Sequence, residues 1–484
     1  MNRVINKLMI TVKKSEDYFL YVFATVMHSG FHFIFSIYVK AYVNPLEYGI
    51  YSSCLLLQTY LTYLQLGSLN AFNRDYPQLM GAGKKEEAKA YSNTTFTFLL
   101  YAFSSALIAI LIVLFVLFKT SNADSRYLGG LALCAVITGL TIIENFGASK
   151  TRVEGKFKYV SIVTILEMIS LIIGVLLIPQ IGYYGIYITT ILGMIIGIGL
   201  YWKTAYKPVK LEIDKGLLKT ILISGLPLLV NGLIWTLVNS IDKFVILGFI
   251  NTEALGLYAI AQNAFSYMVL VPTALSQLFY VKMGKAYGEK QDVAVLASTG
   301  IRFTAILAVL MSFLSVTAYF FSPVLVEKLM PNYKDGITAA QILILGLTVY
   351  SPTLVNGNIL TILKKNSAIV RGSLYLCVLN AVCSTLYVVV FGPKIECVAL
   401  GTVTAYIGRT AIIIYQLKRY AGCKVMDLMK CSVIPVLIVL GVSITFYAVI
   451  DNKLLGFTAC ILAIVLFYSA LYRENIIRFV KGGK

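Results

Sequence analysis

The feature that most constrains this chain is the recurrence of apolar stretches of about 20 residues, the length an α-helix needs to cross a bilayer. Hydrophobic residues make up 58% of the chain and charged residues 13%, far from the balance of a soluble globular protein. Transmembrane β-strands give short alternating segments instead, and the sequence has no such pattern. The sequence therefore predicts an all-α, multi-pass membrane protein.

Fourteen apolar stretches are predicted to be transmembrane helices. They lie near residues 18–42, 48–71, 96–118, 127–149, 159–178, 182–202, 220–250, 254–280, 303–323, 337–363, 372–391, 397–417, 431–450 and 454–472. The tenth contains SPTLVNGNIL, whose Pro352 and Gly357 predict an irregular helix.

The basic residues indicate orientation, because Lys and Arg accumulate in cytoplasmic connectors. With the N-terminus placed inside, only seven of the 41 Lys and Arg residues fall in predicted outer connectors, and Lys243 and Arg409 fall within spans. Both termini are thus predicted to be cytoplasmic. The net charge of +19 then reflects topology and attraction to anionic membrane lipids, and nucleic acid is not an expected partner.

An internal repeat is visible in the predicted connectors. NPLEYGIY at 44–51 matches NTEALGLY at 251–258 in Asn, Gly and Tyr, at an offset of 207 residues. Gly83 and Gly288, in the following inner connectors, are 205 residues apart. An even number of spans separates the matches, which favours parallel repeats related by an axis along the membrane normal.

The repeat predicts two six-helix lobes related by pseudo-twofold symmetry, plus two C-terminal helices. The predicted parts are an N-terminal lobe (1–203), a cytoplasmic linker (204–219), a C-terminal lobe (220–419), and two further transmembrane helices with a cytoplasmic tail (420–484).

Polar residues inside the spans mark the candidate site, because charges in hydrocarbon are expensive and usually face water or a partner. The stripe in span 7 contains, at spacings of four, Asn231, Trp235, Asn239 and Lys243, with Asp242 at its flank. The stripe in span 1 contains Thr25, Ser29, His32, Ser36 and Lys40, with His28 beside it. Matched stripes in the two halves favour a central aqueous cleft between the lobes; helix packing alone is the alternative.

Glu144, Glu167 and Arg409 are further ionisable residues within spans. Glu167 and Arg409 are as well explained by pairing that holds helices together as by exposure to a cleft.

Enzymatic activity is not expected, because HExxH, GxSxG and P-loop motifs are absent. A membrane-embedded transferase using His28 or His32 is the remaining enzymatic alternative.

Several motifs carry a family resemblance: PLEYGIY at 45–51, NRDYPQLMGAGKKEEA at 73–88, the Asp242–Lys243 pair and LGLYAIAQ at 255–262. They resemble polysaccharide flippases of the Wzx type, in the superfamily shared with multidrug/toxin extruders and the lipid II flippase. The resemblance implies two six-helix lobes with two extra helices. It also implies export of undecaprenyl-pyrophosphate-linked O-antigen or capsule repeat units to the outer leaflet of a bacterial inner membrane, with polysaccharide polymerase and assembly proteins as partners.

This interpretation assigns roles to the polar residues. Cations would attract the pyrophosphate, and the candidates are Lys243, Arg409 and Lys40, with His28 and His32 as further donors. Candidates for contact with sugar are Asn231, Trp235, Asn239, Gln262 and Asn263. No cofactor is expected, and a proton or Na⁺ is the expected coupling ion at Asp242, Glu167 or a histidine. The alternatives are a multidrug/toxin cation antiporter, which needs net acidity in its cavity, and a lipid II flippase.

Overall fold

The computed structural model describes residues 2–120 and 124–471, and within them the regular elements are all helices. Helices α1 to α8 span Asn2–Tyr42, Pro45–Leu61, Ser68–Gly81, Lys85–Thr120, Ser125–Val153, Phe157–Ile181, Tyr184–Tyr201 and Lys215–Phe249. Helices α9 to α17 span Thr252–Met268, Leu270–Lys290, Val293–Leu329, Ile337–Ile362, Asn366–Phe391, Ile395–Ala421, Val425–Ser432, Ile434–Val449 and Lys453–Leu471. Thirteen helical segments of the described chain are long and apolar enough to cross a membrane, which confirms the predicted class.

The second predicted span is absent from those thirteen because its helix is broken. Helix α2 ends at Leu61, a 3₁₀ turn covers Thr62–Gln65, and α3 begins at Ser68. Between the turn and α3, Leu66 and Gly67 have φ angles of 49° and 77°, in the left-handed region. The chain therefore forms two short helices here.

The break lets the start of α3 approach α8 with no side chain between the two backbones. A Cβ atom on Gly67 would lie 2.5 Å from the carbonyl oxygen of Gly225, and a Cβ on Gly225 would collide with the carbonyl oxygen of Gly67. Only glycine fits at both positions of this crossing.

Asp75 anchors the rest of α3. Its carboxylate accepts hydrogen bonds from Tyr91 Oη of α4 at 2.9 Å and from Ser224 Oγ of α8 at 3.3 Å, and it pairs with Arg74 at 2.6 Å. The hydrogen bond from Arg74, with those from Tyr91 and Ser224, holds the pKa of Asp75 below its usual value. A lowered pKa means that this contribution to stability is present above the ordinary Asp range and is lost as pH falls through the lowered value.

Five helix pairs of the first half of the chain have an equivalent pair in the second half. The first half pairs α2 with α5, α3 with α4, α4 with α5, α5 with α7, and α6 with α7. The second half pairs α9 with α12, α10 with α11, α11 with α12, α12 with α14, and α13 with α14. This correspondence supports the duplication predicted from the two matched connectors.

The matched connectors have equivalent roles as helix caps. The side chain of Asn44 accepts a hydrogen bond from the Glu47 N–H at 2.9 Å, at the start of α2. The side chain of Asn251 accepts one from the Ala254 N–H at 2.8 Å, at the start of α9. An Asn at the N-cap satisfies a backbone donor that the helix leaves unpaired, which explains its place in both copies.

The chain forms two compact units, the first ending at Leu233 and the second beginning at Ile234. The division falls inside α8, beyond the predicted linker at 204–219. The predicted domain boundaries therefore stay a prediction.

The predicted linker packs against α4 within the first unit. Asn93 accepts the N–H of Lys210 at 3.1 Å and donates to the Glu212 carboxylate at 3.2 Å. Thr97 Oγ1 donates to the carbonyl oxygen of Glu212 at 3.1 Å. These bonds satisfy backbone groups of a segment that is not helical between Lys207 and α8.

Two local predictions are wrong. Gly83 forms a turn after α3 with φ at 75°, but Gly288 lies inside α10, where Gln291 provides the left-handed residue instead. Helix α12 continues through Pro352 without interruption, although an irregular helix was predicted. Packing of α9, α11 and α14 against α12 stabilises a helix that lacks one backbone donor.

We predict that Gly225→Ala destabilises the first unit, because the added methyl group collides with the backbone of Gly67. Overpacking of this kind costs about 1 to 3 kcal/mol. Gly232→Ala on the same helix is the control, since its Cβ would make an ordinary contact 3.6 Å from Tyr63 Oη. Thermal unfolding of the purified proteins, followed by size-exclusion chromatography, measures the difference. Equal unfolding temperatures for the two variants would contradict the assigned crossing.

Candidate functional site

The second unit contains a cavity of about 390 Å³ between α8, α9, α12, α13 and α14. Its polar lining includes Asn239, Asp242, Lys243, Gln262, Asn380 and Thr402. Phe265 and Tyr406 supply aromatic walls. The structure thus brings together four residues that the sequence analysis singled out, on span 7 and at the start of span 8.

Asp242 is buried in the wall of this cavity and is 8% exposed. Its carboxylate accepts three hydrogen bonds from neutral donors: Tyr258 Oη at 2.5 Å, Asn380 Nδ2 at 3.0 Å and Thr402 Oγ1 at 2.8 Å. These donors lie on α9, α13 and α14, so one carboxylate joins three helices to α8. Hydrogen bonds of this kind allow a charged group to stay away from water.

Further oxygen atoms surround this carboxylate. Asn380 Oδ1 accepts a hydrogen bond from Ser384 Oγ at 2.8 Å and lies 3.1 Å from Thr402 Oγ1. The carbonyl oxygen of Val398 lies 3.3 Å from Ser384 Oγ and 3.1 Å from Thr402 Oγ1. We call Asp242, Asn380, Ser384, Val398 and Thr402 the oxygen cluster. It offers carboxylate, amide, hydroxyl and carbonyl oxygens, the ligands that hard cations prefer.

Lys243 lies beside Asp242 in sequence but does not neutralise it by a close contact. Lys243 is half-buried and lines the same cavity. Among the ion pairs within 4.0 Å that the described residues form, none includes Lys243. Adjacent residues point in different directions around a helix, as expected from the sequence. The cavity therefore contains a cation whose charge is not paired with a neighbouring carboxylate.

Arg409 is the second cation of this region; it is 6% exposed and is not among the residues that line the cavity. Its guanidinium carbon lies 5.4 Å from the ring centre of Trp235 and 5.9 Å from that of Tyr350, within cation–π distance. Its Nε and Nη1 atoms are buried and have no hydrogen-bond partner among the described residues. Arg409 follows the cavity residue Tyr406 by one helical turn, and Tyr350 packs against Tyr406 with ring centres 4.9 Å apart.

The candidates in the first unit lie in a different setting. Lys40 is 1% exposed, donates to Ser36 Oγ at 2.9 Å and lies 4.3 Å from the ring centre of Tyr48. The rings of His28 and His32 are in contact, with centres 4.3 Å apart, and His32 is exposed. Lys40 is thus held by contacts of the first unit's own helices, while His32 presents its side chain at that unit's surface.

Glu167 lies against Glu144 within the first unit. One carboxyl oxygen of each side chain lies against Gly197 of α7. The sequence did not predict this pair, although both residues were recognised as intramembrane acids.

The remaining candidates are less well placed by the structure. The side chain of Asn231 lies outside the described residues. Asn263 is half-buried on α9, next to the cavity residue Gln262, and is not among the residues that line the cavity. Both stay predictions.

Sequence reasoning missed Tyr258, Asn380 and Thr402, which complete the setting of Asp242. Asn380 and Ser384 are four residues apart in span 11, and Thr402 and Tyr406 are four apart in span 12. Polar residues at that spacing on apolar helices share one helix face, which is the signal that was available. The sequence does not show which other span these polar residues face.

The fold is shared with solved transporter structures. The lipid II flippase MurJ in an inward closed conformation has a TM-score of 0.69 at 18% identity, covering 95% of this chain and 100% of that chain. An inward-facing multidrug resistance MATE family transporter has a TM-score of 0.69 at 14% identity, covering 83% and 96%. A transporter from Pyrococcus furiosus, whose binding pocket is described as having reverse polarity, has a TM-score of 0.54 at 16% identity, covering 86% and 95%.

These likenesses define the class: a multi-pass helical membrane protein with the fold of the MOP superfamily. Residues 42–330 match the family described as polysaccharide biosynthesis protein, and the chain belongs to that family. No curated protein sequence matches the chain. The shared fold and the family match confirm the resemblance drawn from the motifs.

We predict that Asp242→Ala destabilises the second unit more than Asp242→Asn does. Alanine leaves the donors of Tyr258 and Asn380 without an acceptor, whereas Thr402 can turn to the carbonyl oxygen of Val398. An orphaned buried donor costs about 1 to 3 kcal/mol. Asparagine retains one side-chain oxygen as acceptor. Unfolding temperatures of the purified variants measure the effect, and equal losses in both would argue against this role of the carboxylate.

Proposed function

We propose that the protein is a flippase that moves undecaprenyl-pyrophosphate-linked oligosaccharide repeat units from the cytoplasmic to the outer leaflet by alternating access. Membership of a polysaccharide biosynthesis family supports the pathway. A fold shared with a lipid II flippase supports the type of transport. The observation that carries the substrate class is Arg409, a buried guanidinium group with two donor nitrogens, Nε and Nη1, that have no acceptor among the described residues.

The charge of the second unit's site favours an anionic ligand. Lys243 and Arg409 have no carboxylate within 4.0 Å among the described residues. Asp242 already receives three hydrogen bonds. A buried cation without a counter-charge is costly, and a pyrophosphate group supplies both charge and acceptor oxygens. Lys40, His28 and His32 of the first unit are our further candidates for contact with this group.

The neutral lining suits the sugar part of such a substrate. Asn239 and Gln262 present amide groups to the cavity, and amides both donate to and accept from hydroxyl groups. Our further candidates for contact with sugar are Trp235, whose ring also contacts the guanidinium group of Arg409, together with Asn231 and Asn263. The polyprenyl tail needs no site in the cavity, since it stays in lipid while the polar head crosses.

A cation antiporter is less well supported by the same geometry. A cationic drug needs net negative charge in the cavity that receives it. The described cavity wall has one acid, Asp242, and the cation Lys243 beside it, so its charges give no net negative charge. Lipid II flipping has the same pyrophosphate chemistry, and only the sugar distinguishes it from our proposal.

We propose the oxygen cluster as the site of the coupling ion. One carboxylate with amide, hydroxyl and carbonyl oxygens fits a monovalent cation such as Na⁺, and Asp242 alone fits a proton. The cluster joins α8, α13 and α14, so occupancy by an ion would bias the packing of helices that also line the cavity. Glu167, beside Glu144 in the first unit, is the second candidate for the proton.

We predict that Arg409→Ala and Lys243→Ala each reduce repeat-unit export at least about tenfold, because each removes a charge-assisted contact to pyrophosphate. Surface polymer in a deletion strain carrying each variant measures export. Mass spectrometry of lipid-linked sugars should show accumulation of undecaprenyl-pyrophosphate oligosaccharide.

Arg419→Ala is the matched control, because Arg419 is an exposed arginine near the end of the same helix, α14. It should leave export unchanged. Normal polymer levels in both site variants, with folded protein in the membrane, would refute the anion site. Unchanged lipid-linked sugars together with raised drug sensitivity in the deletion strain would favour the antiporter.

We predict that Asp242→Asn removes the dependence of export on the coupling ion while the protein stays folded. Asparagine keeps an acceptor for the neighbouring donors but has no charge to hold a cation or a proton site. Export measured in inverted vesicles under an imposed Na⁺ or pH gradient tests this. Glu253→Gln, an exposed acid in the first turn of α9, is the control. Retention of full ion dependence in Asp242→Asn would exclude the oxygen cluster as the coupling site.

A further inference from the structure

A second cavity, of about 450 Å³, lies in the first unit, at connectors predicted to face the cytoplasm. We name it the basic pocket and define it by Tyr76, Lys85, Lys89, Ser92, Lys150 and Glu154. We propose that the basic pocket binds a phosphate or diphosphate group. It belongs to a different unit from the cavity around Lys243, and it shares no residue with that cavity.

Lys150 is the first observation that points to an anion. It is 4% exposed, and its ammonium group donates a hydrogen bond to the carbonyl oxygen of Ala205 at 3.1 Å. No ion pair within 4.0 Å among the described residues includes Lys150. An ammonium group has three donors, and a buried one is stabilised by an opposite charge. The carbonyl group of Ala205 and the ring of Phe146, whose centre lies 6.0 Å from the ammonium nitrogen, are both uncharged and leave that requirement unmet.

Glu154, the acid in the pocket wall, is committed to other groups. Its carboxylate pairs with Lys156 at 2.7 Å and accepts a hydrogen bond from Tyr76 Oη at 3.2 Å. Lys156 is not part of the pocket lining, so it offsets the charge of Glu154 from outside. The remaining charges of the described lining are those of Lys85, Lys89 and Lys150, all positive.

Ser92 is the second and independent observation. It is 2% exposed, and its hydroxyl group has no hydrogen-bond partner among the described residues. A buried hydroxyl usually donates to the carbonyl oxygen of the preceding turn or to a neighbour. An unpartnered hydroxyl in the lining of a pocket with three lysines provides a donor for a bound oxyanion.

The pocket fits a phosphate group in size and in chemistry. Its volume lies within the range of small-molecule sites, about 300 to 1,000 Å³. Two flexible lysines at the rim, one lysine at the wall and a hydroxyl can contact several oxygens of one diphosphate. A carboxylate ligand has two oxygens and would leave more of these donors unused.

The role of this site rests on the proposed function. At the cytoplasmic face, the pocket would hold the diphosphate of a lipid-linked substrate before transfer to the second unit. The same chemistry also fits the phosphate of an anionic membrane lipid or a free phosphate. Binding measurements in two lipid compositions separate these sources.

The test is titration of the purified full-length protein, in phosphatidylcholine nanodiscs, with inorganic pyrophosphate by isothermal calorimetry. We expect Lys85→Gln/Lys89→Gln to weaken affinity at least about tenfold, since two charge-assisted contacts are removed. Both lysines are exposed, so the fold should be retained. Ser92→Ala should weaken affinity severalfold without loss of stability, because its hydroxyl bonds to no described residue of the protein. Affinity in all forms should fall with added salt.

Two controls separate the pocket from other cationic sites. Lys158→Gln removes one exposed lysine that does not line the pocket and should leave binding unchanged. Lys243→Ala/Arg409→Ala removes the second unit's cations and should leave the pocket's affinity intact. Normal export in that double variant would contradict the proposed function. It would not contradict pyrophosphate binding at the basic pocket.

Replacing phosphatidylcholine with phosphatidylglycerol identifies the source of the phosphate. Competition with pyrophosphate that depends on Lys85 and Lys89 supports the pocket as a site for lipid headgroups. Undiminished pyrophosphate affinity in phosphatidylglycerol supports a free or substrate-linked diphosphate. Absence of pyrophosphate binding in the unaltered protein, or binding equally strong in Lys85→Gln/Lys89→Gln, overturns the proposal.

Discussion

The carboxylate of Asp242 is the interaction on which the second unit's cavity depends. Because Asp242 is buried, its carboxylate is stabilised by hydrogen bonds within the protein, and three helices supply them through Tyr258, Asn380 and Thr402. Each donor fixes the position of its helix relative to α8. These same helices form the cavity walls. The hydrogen bonds that the buried charge requires therefore determine where the walls lie.

The cations of the site are treated differently from this acid. Asp242 receives neutral donors on its oxygens, whereas Lys243 and Arg409 have no carboxylate close enough to form an ion pair among the described residues. A chain under selection for packing alone would have matched these charges, since separated buried charges lower stability. Asp242 thus has its hydrogen bonds within the protein, while Lys243 and Arg409 remain available to a ligand. This arrangement favours a ligand with negative charge, and it is our reason for proposing a pyrophosphate substrate instead of a cationic drug.

The sequence was sufficient for the fold and for part of the site. Apolar stretches of membrane-spanning length predicted the helices, and the repeated Asn-Gly-Tyr connectors predicted two copies whose caps, Asn44 and Asn251, are equivalent. Local rules succeed there because length and capping are local properties. The break at Gly67 was not predicted, since it depends on the distant Gly225. For the same reason the partners of Asp242, more than a hundred residues away on α13 and α14, could not be assigned.

The setting of Arg409 explains why an arginine suits this position better than a lysine. Its charge lies over the rings of Trp235 and Tyr350. An acceptor oxygen would use the N–H groups of the guanidinium, whereas these rings interact with its charge and leave the N–H groups unused. Nε and Nη1 thus remain as donors on two separate edges of the guanidinium plane, and each can donate to an oxygen of a phosphate group. A lysine at this position would keep the charge but lose these donors of fixed direction. The aromatic contacts therefore stabilise the cation while leaving available the groups that a phosphate oxygen needs.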